Sequence, residues 1–280
     1  MANATAFDIP VDGEFLERME AHVDGLSDPV EQLRQALAKN EFELFFQPIL
    51  ALSSADRYPM AEILVRMREE ERALLPPGEF LPVLEHYGMM PHLDRWVVSR
   101  VVERLARGSR MARFTINVAG QTLHEPQFAI HVANEMRKAG VSPACLLFEI
   151  DEADVLAQLD AAARFAAAVK RLGCGVMIDG FGHRAIKFTP LKVLRVDYVK
   201  IDGSIVRNIL RSEVARMKLD AMLRVADVLS IGLVAECVED QDILARLKAL
   251  NVSHAQGFGV HEPHPLDSLA APVPDGAVAR

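Results

Sequence analysis

Apolar positions along the chain follow two rhythms. Compact apolar runs at 42–50, 61–65, 114–119, 146–150, 175–178, 198–201, 233–235 and 254–260 have the length and the branched or aromatic content of buried strands. Between them, stretches 93–107, 128–139, 154–172, 212–229 and 240–250 carry apolar residues three and four apart, the spacing of an amphipathic helix. Asp154 and Asp240 stand where N-caps are expected, and Gly140 and Gly173 where helices end. This alternation predicts a parallel sheet with crossover helices. Eight strand runs favour an α/β fold closed as a TIM-like (β/α)8 barrel, and no Gly-rich phosphate loop follows the first run to suggest an open nucleotide-binding sheet. The first two runs are joined through Ser53-Ser54-Ala55-Asp56, too short for a helix, so they should pair antiparallel and leave one strand of the barrel reversed.

The ends read differently. Residues 1–28 form an acidic, mixed arm in which 14–23 has the pattern of a short helix, 29–268 form the barrel domain, and 269–280 form an Ala-, Pro- and Gly-rich tail expected to fray. Half the residues are apolar, enough to fill one large core. The net charge of −8 and the lack of a clustered basic face argue against a nucleic-acid polymer or an anionic membrane as partner. No basic start with an apolar core marks a signal peptide, and no apolar run reaches the roughly 20 residues of a membrane span, so a cytoplasmic protein is expected. Cys145, Cys174 and Cys237 lack metal-type spacing and read as buried reduced thiols. His254, His261 and His264 likewise lack metal-ligand spacing, and Trp96 reads as core.

Nearly every strand run is interrupted or ended by a polar residue: Gln47, Glu62 with Arg66 beyond it, Asn117, Glu149 followed by Asp151 and Glu152, Asp179, Lys200 with Asp202, Glu236 with Glu239, and Gln256. Any one of them could simply be a strand end facing solvent. A charge inside an apolar strand is costly unless paired or metal-bound. In a barrel the strand ends converge on one face, where chemistry is carried out. Carboxylates and an amide oxygen crowded there call for a hard cation, Mg²⁺ or Mn²⁺ with Ca²⁺ as an alternative, rather than zinc, and such ions suit phosphodiester hydrolysis. Lys200 could orient a water or stabilise a phosphate, and Arg66 could hold a phosphate in bidentate fashion.

Phe45-Phe46-Gln47-Pro48-Ile49, Glu62-Ile63-Leu64-Val65-Arg66, Pro77-Gly78-Glu79-Phe80-Leu81-Pro82, Ile116-Asn117-Val118, Phe148-Glu149-Ile150-Asp151-Glu152, Val199-Lys200-Ile201-Asp202, Val234-Ala235-Glu236-Cys237-Val238-Glu239 and Gln256-Gly257-Phe258 together resemble the EAL family of cyclic di-GMP phosphodiesterases, in order, from about Leu33 to His264. The resemblance implies a barrel with one antiparallel strand. It implies metal ligation by Glu62, Asn117, Glu149 and Asp179, and water activation and ligation by Lys200 and Glu236. Asp202 and Glu239 match supporting acidic positions, and Glu152 matches a brace for the loop after the fifth barrel strand. Gln47, Leu64, Arg66 and Gln256 match nucleotide-side positions.

The departures concentrate in one loop. The signature's middle Ala is Ile63, still apolar. After Asp179, where the family carries a second Asp that ligates a second metal, this chain has Gly180, followed by Phe181-Gly182-His183-Arg184-Ala185-Ile186-Lys187. One metal site is therefore expected to be intact and the second impaired. His183, Arg184 and Lys187 are expected either to contact the phosphates of a bound dinucleotide directly or to form a solvated loop. Three functions follow from the resemblance: a degenerate receptor that binds cyclic di-GMP with weak or no hydrolysis, favoured by the missing Asp; an active phosphodiesterase giving linear pGpG, favoured by the otherwise complete set; or an interaction module that has lost the nucleotide. A protein partner or a homodimer through the altered loop is compatible with each.

Overall fold

The structure, a computed structural model, describes residues 34–37, 39, 41–54, 57–68, 74–75, 77–109, 111–183 and 186–269. The expected arm at 1–28 with its helix at 14–23, the tail beyond Leu269, and Arg184 lie outside the described residues. The strands are β1 (Phe42–Ala51), β2 (Met60–Arg68), β3 (Leu74–Leu75), β4 (Arg113–Val118), β5 (Leu146–Asp151), β6 (Gly175–Phe181), β7 (Tyr198–Ile201), β8 (Gly232–Ala235), β9 (His254–Ala255) and β10 (His264–Pro265). The helices are α1 (Pro77–His86), α2 (Met90–Ala106), α3 (Pro126–Ala139), α4 (Glu152–Ala157), α5 (Leu159–Leu172), α6 (Thr189–Leu194), α7 (Gly203–Asn208), α8 (Glu213–Leu229) and α9 (Gln241–Ala249).

Strands β1, β2, β4, β5, β6, β7, β8 and β9 close on themselves, with β3 and β10 as short additions. From β2 onward the barrel neighbours are parallel, whereas β1 is antiparallel to both β2 and β9, as the short connection predicted. Phe42 thus lies level with Met67 at the C-terminal end of β2, and Ile49 level with Met60 at its start. The central strands are buried on both faces, hence near-continuous apolar runs such as Leu146-Leu147-Phe148. Outward side chains pack under the helices, where Phe128, Phe148 and Phe165 form a ring cluster with centroids 5.5–6.0 Å apart. Inward side chains alternate with them. Ile49, Met60, Leu147, Met177 and Val234, backed by Tyr198, plug the lower half of the barrel.

Three expectations are corrected. The run 254–260 is strand only at His254–Ala255. Beyond it Gly257 (φ 152°) passes so close to Val238 that a Cβ there would stand 2.3 Å from that residue's backbone N and O. The segment bonds instead to the loop after β8, the Val238 N–H donating to Gln256 O (2.9 Å) and the Gly259 N–H to Val238 O (2.9 Å). The helix expected over 154–172 breaks at Gln158 (φ −141°, ψ 51°), and its N-cap is Asp151, whose Oδ1 accepts from Ala153 N (2.6 Å), not Asp154. Among the cysteines, all free, only Cys174 is buried; Cys145, ending the short helical turn before β5, and Cys237, in the loop after β8, are half-buried. Helices α6 and α7, six residues each, are too short to show a period and had not been expected.

Candidate functional site

Strand alternation builds the site. Gln47, Glu62, Glu149, Asp179, Lys200 and Glu236 each lie two residues from the plug or its backing Tyr198 (Ile49, Met60, Leu147, Met177, Tyr198 and Val234), so they share its inward face one layer nearer the mouth, which is the C-terminal end of the parallel strands and the N-terminal end of reversed β1. Register places Gln47 opposite Glu62, Asn117 opposite Glu149, and Asp151 opposite Asp179. These six residues thereby form one layer above the apolar plug.

Lys200 is the hub. Its side chain is almost fully buried; Nζ donates to Glu62 Oε2 (3.1 Å) and to Glu149 Oε2, and lies 3.6 Å from Asp179 Oδ1. Burial works against the ammonium, but Asp179, Glu149, Glu62 and Glu236 outweigh it and hold its pKa well above the ordinary lysine value. Glu62 is the best-served carboxylate. Oε1 accepts from Asn117 Nδ2 (2.8 Å), and Oε2 also accepts from Gln256 Nε2 (2.7 Å). Burial pushes Glu62 up, yet the charge of Lys200 and these hydrogen bonds leave it below its ordinary value.

The other carboxylates are less well compensated. Burial raises Glu149 to about 8 against the pull of Lys200, and its buried Oε1 has no hydrogen-bond partner among the described residues. Burial, with the repulsion of Asp179, likewise raises Glu236 to about 8, although its Oε1 accepts from Gly203 N (2.7 Å). Asp179 is raised by burial, opposed by Lys200 and reinforced by Glu62. Among the described residues no three carboxylate, thiol or imidazole side chains are drawn together as around a metal; an ammonium holds the centre.

Around this core, Gln256 Nε2 also donates to Gln47 Oε1 (3.1 Å), and Gln47 Nε2 donates to His261 O (2.9 Å), which ties the segment after β9 to the mouth. Arg66 is half-buried, with Nη1 donating to Val65 O (2.9 Å) and the guanidinium 5.9 Å from the Phe45 ring centroid. Leu64 is half-buried beside it, and Glu239 is exposed on the loop after β8. Asp202 caps α7 through Ser204 N (2.9 Å).

The loop after β6 is fastened below its tip. Glu152 Oε2 accepts from Gly182 N (3.0 Å), Lys218 Nζ donates to Gly182 O (2.7 Å), and His183 Nδ1 lies 3.3 Å from Asp202 Oδ2. Gly180 is left-handed (φ 63°), and a Cβ there would meet Asp151 Oδ2 at 3.5 Å. Lys218 had not been singled out in the sequence. It lies on α8, 36 residues from its acceptor, and nothing local marks it.

The EAL domain family model matches residues 30–263. The cyclic di-GMP phosphodiesterase PdeB of Shewanella oneidensis is 29% identical over 240 residues, 85% of this chain and 28% of that protein. The cyclic di-GMP phosphodiesterase PdeF of Escherichia coli is 31% identical over 238 residues, 84% of this chain and 32% of that protein. The chain thus spans about a third of the length of these curated relatives. The crystal structure of the FimX EAL domain from Pseudomonas aeruginosa bound to c-di-GMP superposes with a TM-score of 0.79 at 27% identity, covering 85% of this chain and 96% of that one. That of the Xanthomonas citri FimX EAL domain in complex with c-di-GMP gives 0.80 at 25% identity, covering 93% and 100%. No helix among the described residues is long and apolar enough to cross a membrane. A family match over most of the chain, on a reversed-strand barrel whose mouth gathers the motif residues, establishes that the chain belongs to the EAL domain family.

Proposed function

We propose that the chain binds cyclic di-GMP at the barrel mouth as a receptor that hydrolyses it weakly or not at all. One observation carries the reading. Glu62, Glu149 and Asp179 are gathered around Lys200, but position 180, beside Asp179, offers no donor and has the backbone of a glycine turn. The donor set fits Mg²⁺ or Mn²⁺ in kind: Glu62, Asn117, Glu149 and Asp179 present oxygens, and the buried Glu149 Oε1 lacks a partner among the described residues. When bound, such an ion supplies charge neutralisation at phosphate oxygens and acidifies a water. With Gly180 in place one ion is held well and a second poorly. Loss of a single charge-stabilising group costs about 10²–10³ in rate.

The chain's own residues then bind and orient. Arg66, with Leu64 and Gln47 nearby on β1 and β2, faces the nucleotide; its guanidinium, backed by the Phe45 ring, can take a phosphate in two hydrogen bonds. Lys200 remains charged and orients phosphate or water, with Glu236 beside it. Glu152, Asp202 and Glu239 act in support, the first by holding Gly182. Arg184 lies outside the described residues, while His183 stands beside Asp202.

A second reading, an active phosphodiesterase giving linear pGpG, is favoured by the completeness of the inward layer apart from Gly180. Incubation with cyclic di-GMP and Mn²⁺ or Mg²⁺, with pGpG followed by chromatography and binding by calorimetry, separates the two. Saturable binding lost in Arg66→Ala, with no pGpG even at excess protein, supports the receptor. Turnover abolished by Glu62→Ala establishes the enzyme. Absence of binding refutes both.

A further inference from the structure

The barrel has a second polar end. Beneath the plug, the inward face continues through Arg113, Tyr198, Gly232 and His254, at or near the N-termini of β4, β7, β8 and β9. With Lys192 and Arg195 from the segment before β7, these residues line a cavity of about 640 Å³ that opens away from the mouth. That volume lies within the range of about 300–1,000 Å³ usual for small-molecule sites. We infer that this floor cavity binds a small phosphate-bearing anion.

Charge is the first argument. On a chain of net charge −8, the cavity gathers the cations Arg113, Lys192 and Arg195. Its acidic member, Asp197, is already committed: Oδ2 accepts from Lys170 Nζ (2.7 Å) and from Val176 N (2.8 Å). Residues at the N-terminal face of such a barrel ordinarily serve stability, and these three cations line the cavity with exposed side chains. The side chains of Lys192 and Arg195 make no hydrogen bond or ion pair with any described residue, and the only bond of Arg113 is a long one from Nη1 to Tyr198 Oη (3.4 Å). Arg195 ends α6 in the left-handed conformation (φ 50°), a position where glycine or asparagine would be easier.

The shape of the cavity points the same way. Gly232 makes room for the Tyr198 ring, since a Cβ there would stand 2.4 Å from two ring carbons. The Tyr198 ring meets that of His254 edge-on, with centroids 5.5 Å apart. His254 Nδ1 is shut off from water and has no hydrogen-bond partner among the described residues, so any hydrogen bond from this ring into the cavity comes from Nε2. Burial, with the nearby charge of Arg113, lowers its pKa to about 4, so the ring is neutral at pH 7 and able to donate one hydrogen bond. Guanidinium groups together with a neutral donor suit a phosphate. The apolar plug separates this cavity from the mouth, so occupancy of one does not require occupancy of the other.

The test is calorimetric titration of the full chain in EDTA with two probes, pyrophosphate and AMP. Saturable binding of either probe, weakened at least about tenfold by Arg195→Glu and unchanged in Arg66→Ala, is the expected result. Lys192→Ala, an exposed change that spares the fold, should weaken binding in the same direction. The inference is overturned by no saturable binding up to about 10 mM, by a smaller loss in Arg195→Glu, or by loss in Arg66→Ala, which would place the anion at the mouth. Because EDTA removes metal and neither probe is cyclic di-GMP, failure here leaves the receptor reading standing, and the reverse also holds.

Discussion

Replacing Lys200 with methionine keeps the unbranched stem and removes the ammonium from among Glu62, Glu149 and Asp179. These carboxylates would then face one another in a place where Lys200 is only 1% exposed. Breaking a buried ion pair by removing one partner costs about 3–5 kcal/mol. For a domain of this size each kcal/mol moves the melting temperature by about 2–4 °C, so Lys200→Met should melt about 10 °C below the parent in EDTA. The deficit has a pH signature. Burial raises Glu149 from its ordinary value of 4.5 to about 8 in the fold, so its stabilising contribution is that of the protonated form, present below pH 4.5 and lost as pH rises through 8. Removing Lys200 takes away a cation that lowers this pKa and therefore moves it further up. The variant's deficit should be small near pH 6, where these carboxylates can take up protons, and full near pH 9. Scanning calorimetry at both pH values measures it. A melting temperature within about 2 °C of the parent at pH 9, or an equal deficit at both, would refute the idea that Lys200 is the counter-charge of this layer.

Asp94, on α2, is buried and accepts from Thr122 Oγ1 (2.5 Å) and Ala119 N (3.1 Å), and burial raises it from 3.8 to about 7. The stability that its protonated form contributes is present below pH 3.8 and lost as pH rises through 7, so Asp94→Asn should stabilise the fold by up to about 4 kcal/mol at pH 8.5 and by progressively less towards pH 5 in urea titrations. Gly180→Asp is accommodated sterically, with its Cβ 3.5 Å from Asp151 Oδ2, but the left-handed backbone and the added charge should lower metal-free stability by about 1–2 kcal/mol. With Mn²⁺ it should raise pGpG formation by about tenfold or more, and unchanged turnover with intact binding would acquit Gly180. Gly257→Ala drives a methyl group into the Val238 backbone and should both destabilise the chain and abolish cyclic di-GMP binding through displacement of Gln256, as seen by calorimetry.

Much of the site was legible because strand alternation is strict. A polar residue two positions beyond an inward apolar one must share its face, so Glu62, Glu149, Asp179 and Lys200 could be placed together from spacing alone. The reversed first strand was legible for an equally simple reason, a connection too short to hold a helix. What escaped depends on contacts distant in sequence. The break at Gln158 arises where its side chain meets His124 (2.5 Å) and where Gly120 packs so closely that a Cβ would touch Asp154 and Gln158. No periodicity within 154–172 reports on residue 120. Likewise, His254 and Gln256 were read within one strand, but the backbone of Val238 captures the chain immediately after Gln256. The cations of the floor escaped because Arg113 is far in sequence from Lys192 and Arg195 and meets them only when the barrel closes.

The reversal of β1 also decides from which side the chain enters. In a barrel of parallel strands the polypeptide arrives at the floor and its first loop points up to the mouth. Here Phe42 lies level with Met67, so the inbound segment arrives at the mouth itself, and Arg34 just upstream lies near enough to His92, close to the start of α2, to add to the burial and the Arg95 charge that lower the pKa of that histidine. Whatever the chain carries ahead of the barrel is therefore tethered on the side where the dinucleotide is proposed to bind. Nine residues, from Arg34 to Phe42, bridge that tether and the first inward strand, which makes them the shortest covalent route along which occupancy of the mouth could be felt upstream.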